Sequence, residues 1–267
     1  MSATALLLAL IAAPPTPPLP AQPTVPPVLQ VPLDAGTNIV IDANSYYARW
    51  TYPGIDDVGE LGALFASSGA SHRNFAIPGQ TWGNMRTSIA DAIGGFDPAK
   101  KNILVCGETR NMIFTHPGWL ADGADAAAEK LLSAAARYIQ TAQREVKSKY
   151  GKGWDAVVIC GTIPNSADPA EKYSQEQTLT ANAAMLKFDE VLRADPSRVG
   201  ADAFADFRTY APQFFGGDGS TRAGFAQDPA LVMEKGDAWI HPLGAAREAL
   251  AGAIAKALKK IAGDDGH

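Results

Sequence analysis

The chain predicts an α/β domain built on a parallel sheet with helices on both faces, and three observations carry that expectation. Short apolar runs alternate with longer helical stretches from about residue 38 onward. Each run ends in Gly, Pro or polar residues, as strands do when they feed a loop at a sheet edge. The alternation is strand, helix, strand, with no block of consecutive strands, which favours parallel pairing with crossover helices.

The expected strands are Asn38–Asp42 (NIVID), Ser71–Ala76 (SHRNFA), Asn102–Cys106 (NILVC), Ala156–Cys160 (AVVIC) and a weaker Ala203–Asp206 (AFAD). The expected helices cover Asp57–Ser67, Asn84–Gly94, Ala124–Tyr150, Gln175–Ala194 and Leu243–Ile261. The long helix opens in an Asp-rich turn and stops at Gly151, the residue type preferred just past a helix end. No internal repeat is visible. In a sheet of this kind the ligand crevice lies beyond the carboxyl ends of the strands, so the residues just after each run deserve the closest reading.

Composition narrows the function classes. The 267 residues are 46% hydrophobic, enough for one substantial core, with a formal net charge of -5 and a pI near 5.4. No Lys/Arg run exceeds two residues, so the footprint expected of a nucleic-acid or anionic-lipid binder is missing. Cys106 and Cys160 each end an apolar run before a glycine, which reads as two buried thiols at strand ends or as a disulfide between neighbouring strands. Histidines at 72, 116, 241 and 267 show no metal-ligand spacing, and no cofactor motif is present.

The first 37 residues stand apart from the domain of residues 38–267. Ala3–Ala13 (ATALLLALIAA) is apolar and too short to span a bilayer. It reads either as the core of a cleaved secretion signal without the usual basic start, or as a retained arm docking on a neighbouring subunit or assembly. Residues 14–32 carry nine prolines and no charge, the composition of an extended polyproline arm. A secreted, cell-surface or virion-associated setting fits this arm better than a cytoplasmic one, and a homo-oligomer is open.

The chemistry-bearing residues follow the strands. Ser45 lies in Asp42-Ala43-Asn44-Ser45-Tyr46 after the first run, where it can offer both a hydroxyl and a backbone N–H to an acyl group. Gly79, after the second run, allows close approach of a backbone N–H to an oxyanion. Asn111, after the third, carries a side-chain N–H that can serve the same anion. Asp237 and His241 open the last helix in Gly236-Asp237-Ala238-Trp239-Ile240-His241-Pro242, a carboxylate placed to orient an imidazole.

Taken as an ordered set, these residues resemble the SGNH (GDSL-like) hydrolases. Ile39–Tyr47 is similar to the "IVxxGDSxT" block with Ala43-Asn44-Ser45 where Gly-Asp-Ser usually stands, and Asn74–Thr81 (NFAIPGQT) is similar to "NxGxSGxT". Ala156–Pro164 resembles the fourth strand and its Pro-containing exit, Leu179–Leu192 the "NxxL" helix, and His241-Pro242 the "DGxHPNxxG" block. The likeness spans roughly residues 39–250. It implies a three-layer flavodoxin-like fold with a five-stranded parallel sheet, and a serine esterase with Ser45 as nucleophile, His241 as base and Asp237 as its orienting acid. The N–H groups of Ser45 and Gly79 and the amide of Asn111 would form the oxyanion hole.

Three departures stand out. Asn44 replaces the acid beside the nucleophile, three residues rather than one separate Gly107 from Asn111, and Asp237 lies four rather than three residues before His241. Trp82 and Trp239 flank the site residues and are candidates to stack on a sugar ring, which favours a small acyl group such as acetyl on a carbohydrate. A second reading keeps the fold without the chemistry, as a binding or structural module of a larger assembly.

Overall fold

The computed structural model describes residues 33–47, 68–165, 173–218, 241–242 and 244–263. The proline-rich arm and the expected helix at 57–67 lie outside the described residues.

Five strands, β1 Thr37–Ala43, β2 Ser71–Asn74, β3 Lys101–Gly107, β4 Ala156–Cys160 and β5 Ala203–Ala205, form one sheet in the order β2-β1-β3-β4-β5, every pair parallel. The expected strands are present, with β2 and β5 shorter than the sequence suggested. Helices α1 Trp82–Thr87, α2 Ile89–Gly94, α3 Arg110–Thr115, α4 Ala124–Tyr150, α5 Gln175–Ala194, α6 Phe207–Tyr210, α7 Pro212–Phe215 and α8 Gly244–Ile261 connect and cover it.

Alternation along the strands divides the core into two layers, because successive side chains of a strand point to opposite faces. Ile39, Ile41, Ala43, Ile103, Val105, Val158 and Cys160 face α8 and the Phe207, Phe214 and Phe215 cluster. Val40, Leu104, Cys106, Val157 and Ile159 face α1, α2, α4 and α5. The three-layer arrangement follows. It also decides the cysteines: Cys106 sits opposite Ile159 in the β3–β4 register, so Cys106 and Cys160 belong to opposite faces and both are free thiols. A disulfide between them is excluded by the pleat.

The long helices are delimited by their caps. Gly151 ends α4 in the left-handed region at φ 77°, and Ser174 starts α5 with a capping box in which its hydroxyl accepts from Gln177 N–H while the Gln177 side chain accepts from Ser174 N–H. The stretch expected as one helix over 84–94 is two, broken at Ser88. The Ser88 hydroxyl donates to the Asn84 carbonyl at 3.2 Å, and such back-bonding competes with the helical ladder. Among the described residues no helix is long and apolar enough to cross a membrane.

Strand order reverses between β1 and β3, because the connection from β1 runs to one side of the sheet, to β2, and that from β3 to the other, to β4. A small recess lies at the carboxyl ends of β1, β3 and β4, lined among others by Asn44, Gly107 and Gly161.

Candidate active site

Ser45 is carried on a turn built by Asn44. The Asn44 N–H donates to the Gly107 carbonyl at 3.2 Å, tying the turn to the end of β3. The Asn44 side-chain carbonyl accepts from Tyr46 N–H at 3.1 Å, and its backbone carbonyl accepts from Tyr47 N–H at 3.1 Å. This is an Asx-turn closed a second time through the backbone, and it holds Ser45 at its tip. Gly107 must lack a side chain for the arrangement to close: a Cβ there would stand 2.7 Å from Cys160 Cβ and 3.2 Å from the Tyr47 hydroxyl.

The β2 loop is pinned to the same turn. Phe75 N–H and Ile77 N–H donate to the Ile41 and Ala43 carbonyls, extending the parallel ladder beyond β2 proper. The Asn74 amide donates to the Tyr47 carbonyl at 2.6 Å while its carbonyl accepts from Ala76 N–H. Gly79 then adopts φ 77°, a conformation that L side chains rarely enter, and the space around it is open. Its glycine is therefore required by backbone conformation.

The β3 loop completes the frame. Asn111 donates one amide N–H to the Gln80 carbonyl at 2.9 Å, which leaves its second N–H for another acceptor. The structure thus brings Asn111 against the Gly79–Gln80 turn despite the longer spacing from Gly107.

His241, 7% exposed, closes the set. Its Nε2 lies 2.8 Å from Ser45 Oγ, and the Tyr46 ring meets its imidazole edge-on at 5.9 Å between centroids. Burial, reinforced by the nearby Arg110 cation, pulls the imidazole down to about pKa 4, so it stands neutral and ready to accept a proton at ordinary pH. Asp237 and Trp239 lie outside the described residues.

Sequence reasoning missed Glu108. Its buried carboxyl accepts from Asn111 N–H at 2.6 Å and from Met112 N–H at 3.2 Å, and the Asn44 side chain and Trp82 N–H favour its charged form. Burial nevertheless outweighs these contacts and pushes it up to about 8. One side chain therefore touches the turns after β1 and β3 and the start of α1. It also accounts for Asn44, since an acid at that place would set two carboxyls against each other.

Trp82 corrects an expectation. It is 1% exposed and packs on Tyr138 at 5.4 Å in the layer between the sheet and α4, so neither ring face is available to a sugar. The spacing of Trp82, Met85, Ile89 and Ile93 marks a core-facing helical stripe, and that was the signal to read. Asn182, expected in the "NxxL" helix, lies in α5 and exchanges hydrogen bonds with the Asn165 backbone at 2.9 and 2.8 Å.

No family model matches the sequence, and no curated protein matches it. Solved structures do match. LAE5, an α/β hydrolase enzyme from the metagenome of Lake Arreo, superposes with a TM-score of 0.52 at 15% identity, over 85% of this chain and 97% of that one. A GDSL-like lipase from Bacteroides thetaiotaomicron gives 0.52 at 13% identity, over 85% and 89%. A mutant of Axe2, an acetyl-xylooligosaccharide esterase from Geobacillus, gives 0.53 at 10% identity, over 86% and 96%. The fold is that of the SGNH hydrolases. In this fold hydrogen bonds tie the turn that carries Ser45 to the end of β3, and the β3 loop to the Gly79–Gln80 turn through Asn111.

Proposed function

We propose that the protein is a serine esterase that removes a small acyl group of the acetyl type from a carbohydrate or polysaccharide. The observation that carries this reading is the 2.8 Å contact between Ser45 Oγ and a buried His241 Nε2. In the proposed cycle His241 takes the hydroxyl proton as Ser45 attacks the ester carbonyl, and the imidazolium then protonates the departing alcohol. Water repeats the sequence on the acyl-enzyme. The N–H groups of Ser45 and Gly79 and the free amide N–H of Asn111 are assigned to the oxyanion, and Asp237 to the far side of the imidazole.

The acyl size is drawn from the likeness in fold to an acetyl-xylooligosaccharide esterase, and next to the Ser45 turn lies a recess of about 10 Å³ lined by Asn44, Tyr46, Tyr47 and Glu108 among others. The carbohydrate part is supported by the likeness in fold to an acetyl-xylooligosaccharide esterase. Hydrolysis of p-nitrophenyl acetate together with a stoichiometric phosphonate adduct on Ser45 tests the reading. A folded sample that gives neither turnover nor adduct overturns it in favour of a binding module.

A further inference from the structure

Arg110, the first residue of α3, is a half-buried cation that lines a recess with Asn44 and Tyr46 and acts on the charge of His241, and the proposed cycle assigns it no task. Its support is built in from behind. Nε donates to Asn165 Oδ1 at 2.7 Å, and the guanidinium carbon lies 5.0 Å from the centroid of the Phe114 ring. Asn165 is itself buried and locked by the paired bonds to Asn182, which in turn donates to the Asp218 carbonyl. The β4 exit and α5 thus hold the cation in place before any ligand arrives.

The other end of the guanidinium is under-used. Of its five N–H donors, the terminal nitrogens make only a long 3.5 Å contact to Asn111 Oδ1, and among the described residues no Asp or Glu side chain forms an ion pair with Arg110. Glu108, two residues away, is too buried to supply a full counter-charge at neutral pH. Arg110 also lines the same recess as Asn44 and Tyr46, the two neighbours of the nucleophile.

This placement has an energetic cost. A cation near the base disfavours the imidazolium that acyl transfer must form. A substrate that brings a negative charge to Arg110 removes the penalty, and a planar carboxylate can meet the two terminal nitrogens of a guanidinium bidentately.

We propose that Arg110 reads a carboxylate on the substrate, so that the preferred ester is carried by an acidic molecule such as an acylated uronic-acid unit. The proposal rests on the esterase reading of the same crevice and adds the charge of the substrate to it. It separates Arg110 from the oxyanion donors: a group serving the oxyanion would help neutral and acidic esters equally.

The test uses a mono-O-acetylated methyl hexuronoside as its free carboxylate and as its carboxamide, which differ only in charge. The full-length protein should show a kcat/KM for acetate release from the carboxylate that exceeds that for the carboxamide by about tenfold or more, the range of one charge-assisted hydrogen bond. In Arg110→Gln that ratio should fall to about one. Equal rates on the two probes in the wild type, or a ratio that survives Arg110→Gln, overturns the proposal.

A Ser45→Ala background supplies a binding arm that needs no turnover. There the carboxylate should bind about tenfold tighter than the carboxamide, and adding Arg110→Gln should abolish the difference. A binding preference of this kind without any acetate release by the wild type sinks the esterase reading and supports the role of Arg110. If circular dichroism shows that Arg110→Gln does not fold, Arg110→Lys replaces it. Lysine keeps the charge and loses the fork, and a drop in the ratio of about threefold or more is expected; an unchanged ratio overturns the proposal.

Discussion

His241 Nε2 and Ser45 Oγ lie 2.8 Å apart although 196 positions separate them in the chain. The contact joins the segment ahead of α8 to the turn after β1, so the site exists only once the whole sheet is closed. Replacing Ser45 or His241 with Ala should lower kcat for p-nitrophenyl acetate by roughly 10⁴-fold or more while leaving the far-UV spectrum unchanged. Turnover near the wild-type rate in either variant would remove the pair from the mechanism.

The buried imidazole sets the acid side of the pH profile. With His241 held down to about 4, the neutral base persists well below the usual histidine range. The acid limb of kcat/KM is expected near pH 4, and Arg110→Gln should move it upward by removing the adjacent cation. A wild-type limb at 6.5 would show that the ring titrates as an exposed histidine does.

Glu108 should act as a clamp on the two loops that bear the proposed oxyanion donors Ser45 and Asn111. Glu108→Ala strands the Asn111 and Met112 N–H groups, at a cost of about 1–3 kcal/mol each. Its kcat should fall further than its KM rises, because Asn111 loses its register. Glu108→Gln keeps one acceptor oxygen and should recover most of the lost rate; if the two variants behave alike, the carboxyl is a packing group.

A buried ion pair holds the segment after β5. Asp189 accepts from Arg208 Nε at 3.0 Å and from the Thr162 hydroxyl at 2.6 Å, and Arg208 also donates to the Phe215 and Gly217 carbonyls. Asp189→Ala leaves the guanidinium buried without its partner and should cost about 3–5 kcal/mol in chemical denaturation. A loss below 1 kcal/mol would mean that water reaches the pair.

Asp42, buried near the end of β1 and hydrogen-bonded by Tyr138 at 2.6 Å, is pushed up to about 7 by burial. The folded state therefore binds a proton that the unfolded state has already lost above pH 3.8. The associated stability is fully present below that value and is lost as pH rises toward 7. Asp42→Asn should flatten the decline in thermal midpoint between pH 4 and pH 7, relative to wild type.

Much of this architecture was legible because strands and long helices advertise themselves by period. The runs NIVID, NILVC and AVVIC became β1, β3 and β4 within a residue at each end, and α4 and α5 kept their expected limits. Ser45 and Gly79 were singled out by their place after strands. Glu108 was not, since its partners are mainly backbone N–H groups, which leave no trace in a sequence pattern. Arg110 was equally silent, as its support comes from Asn165 on a distant loop. Trp82 misled because adjacency to a site motif says nothing about which side of a helix a ring occupies.

The strict two-residue pleat of β1 carries a consequence for how this protein can change. Ile39, Ile41 and Ala43 point to one layer, and the Asn44 turn begins directly after them. Inserting or deleting one residue in β1 would send those side chains into the opposite layer and swing the Ser45 turn with them. Over generations the distance between the start of the sheet and Ser45 can therefore drift in pairs of residues, and a single-codon indel in this stretch should be purged.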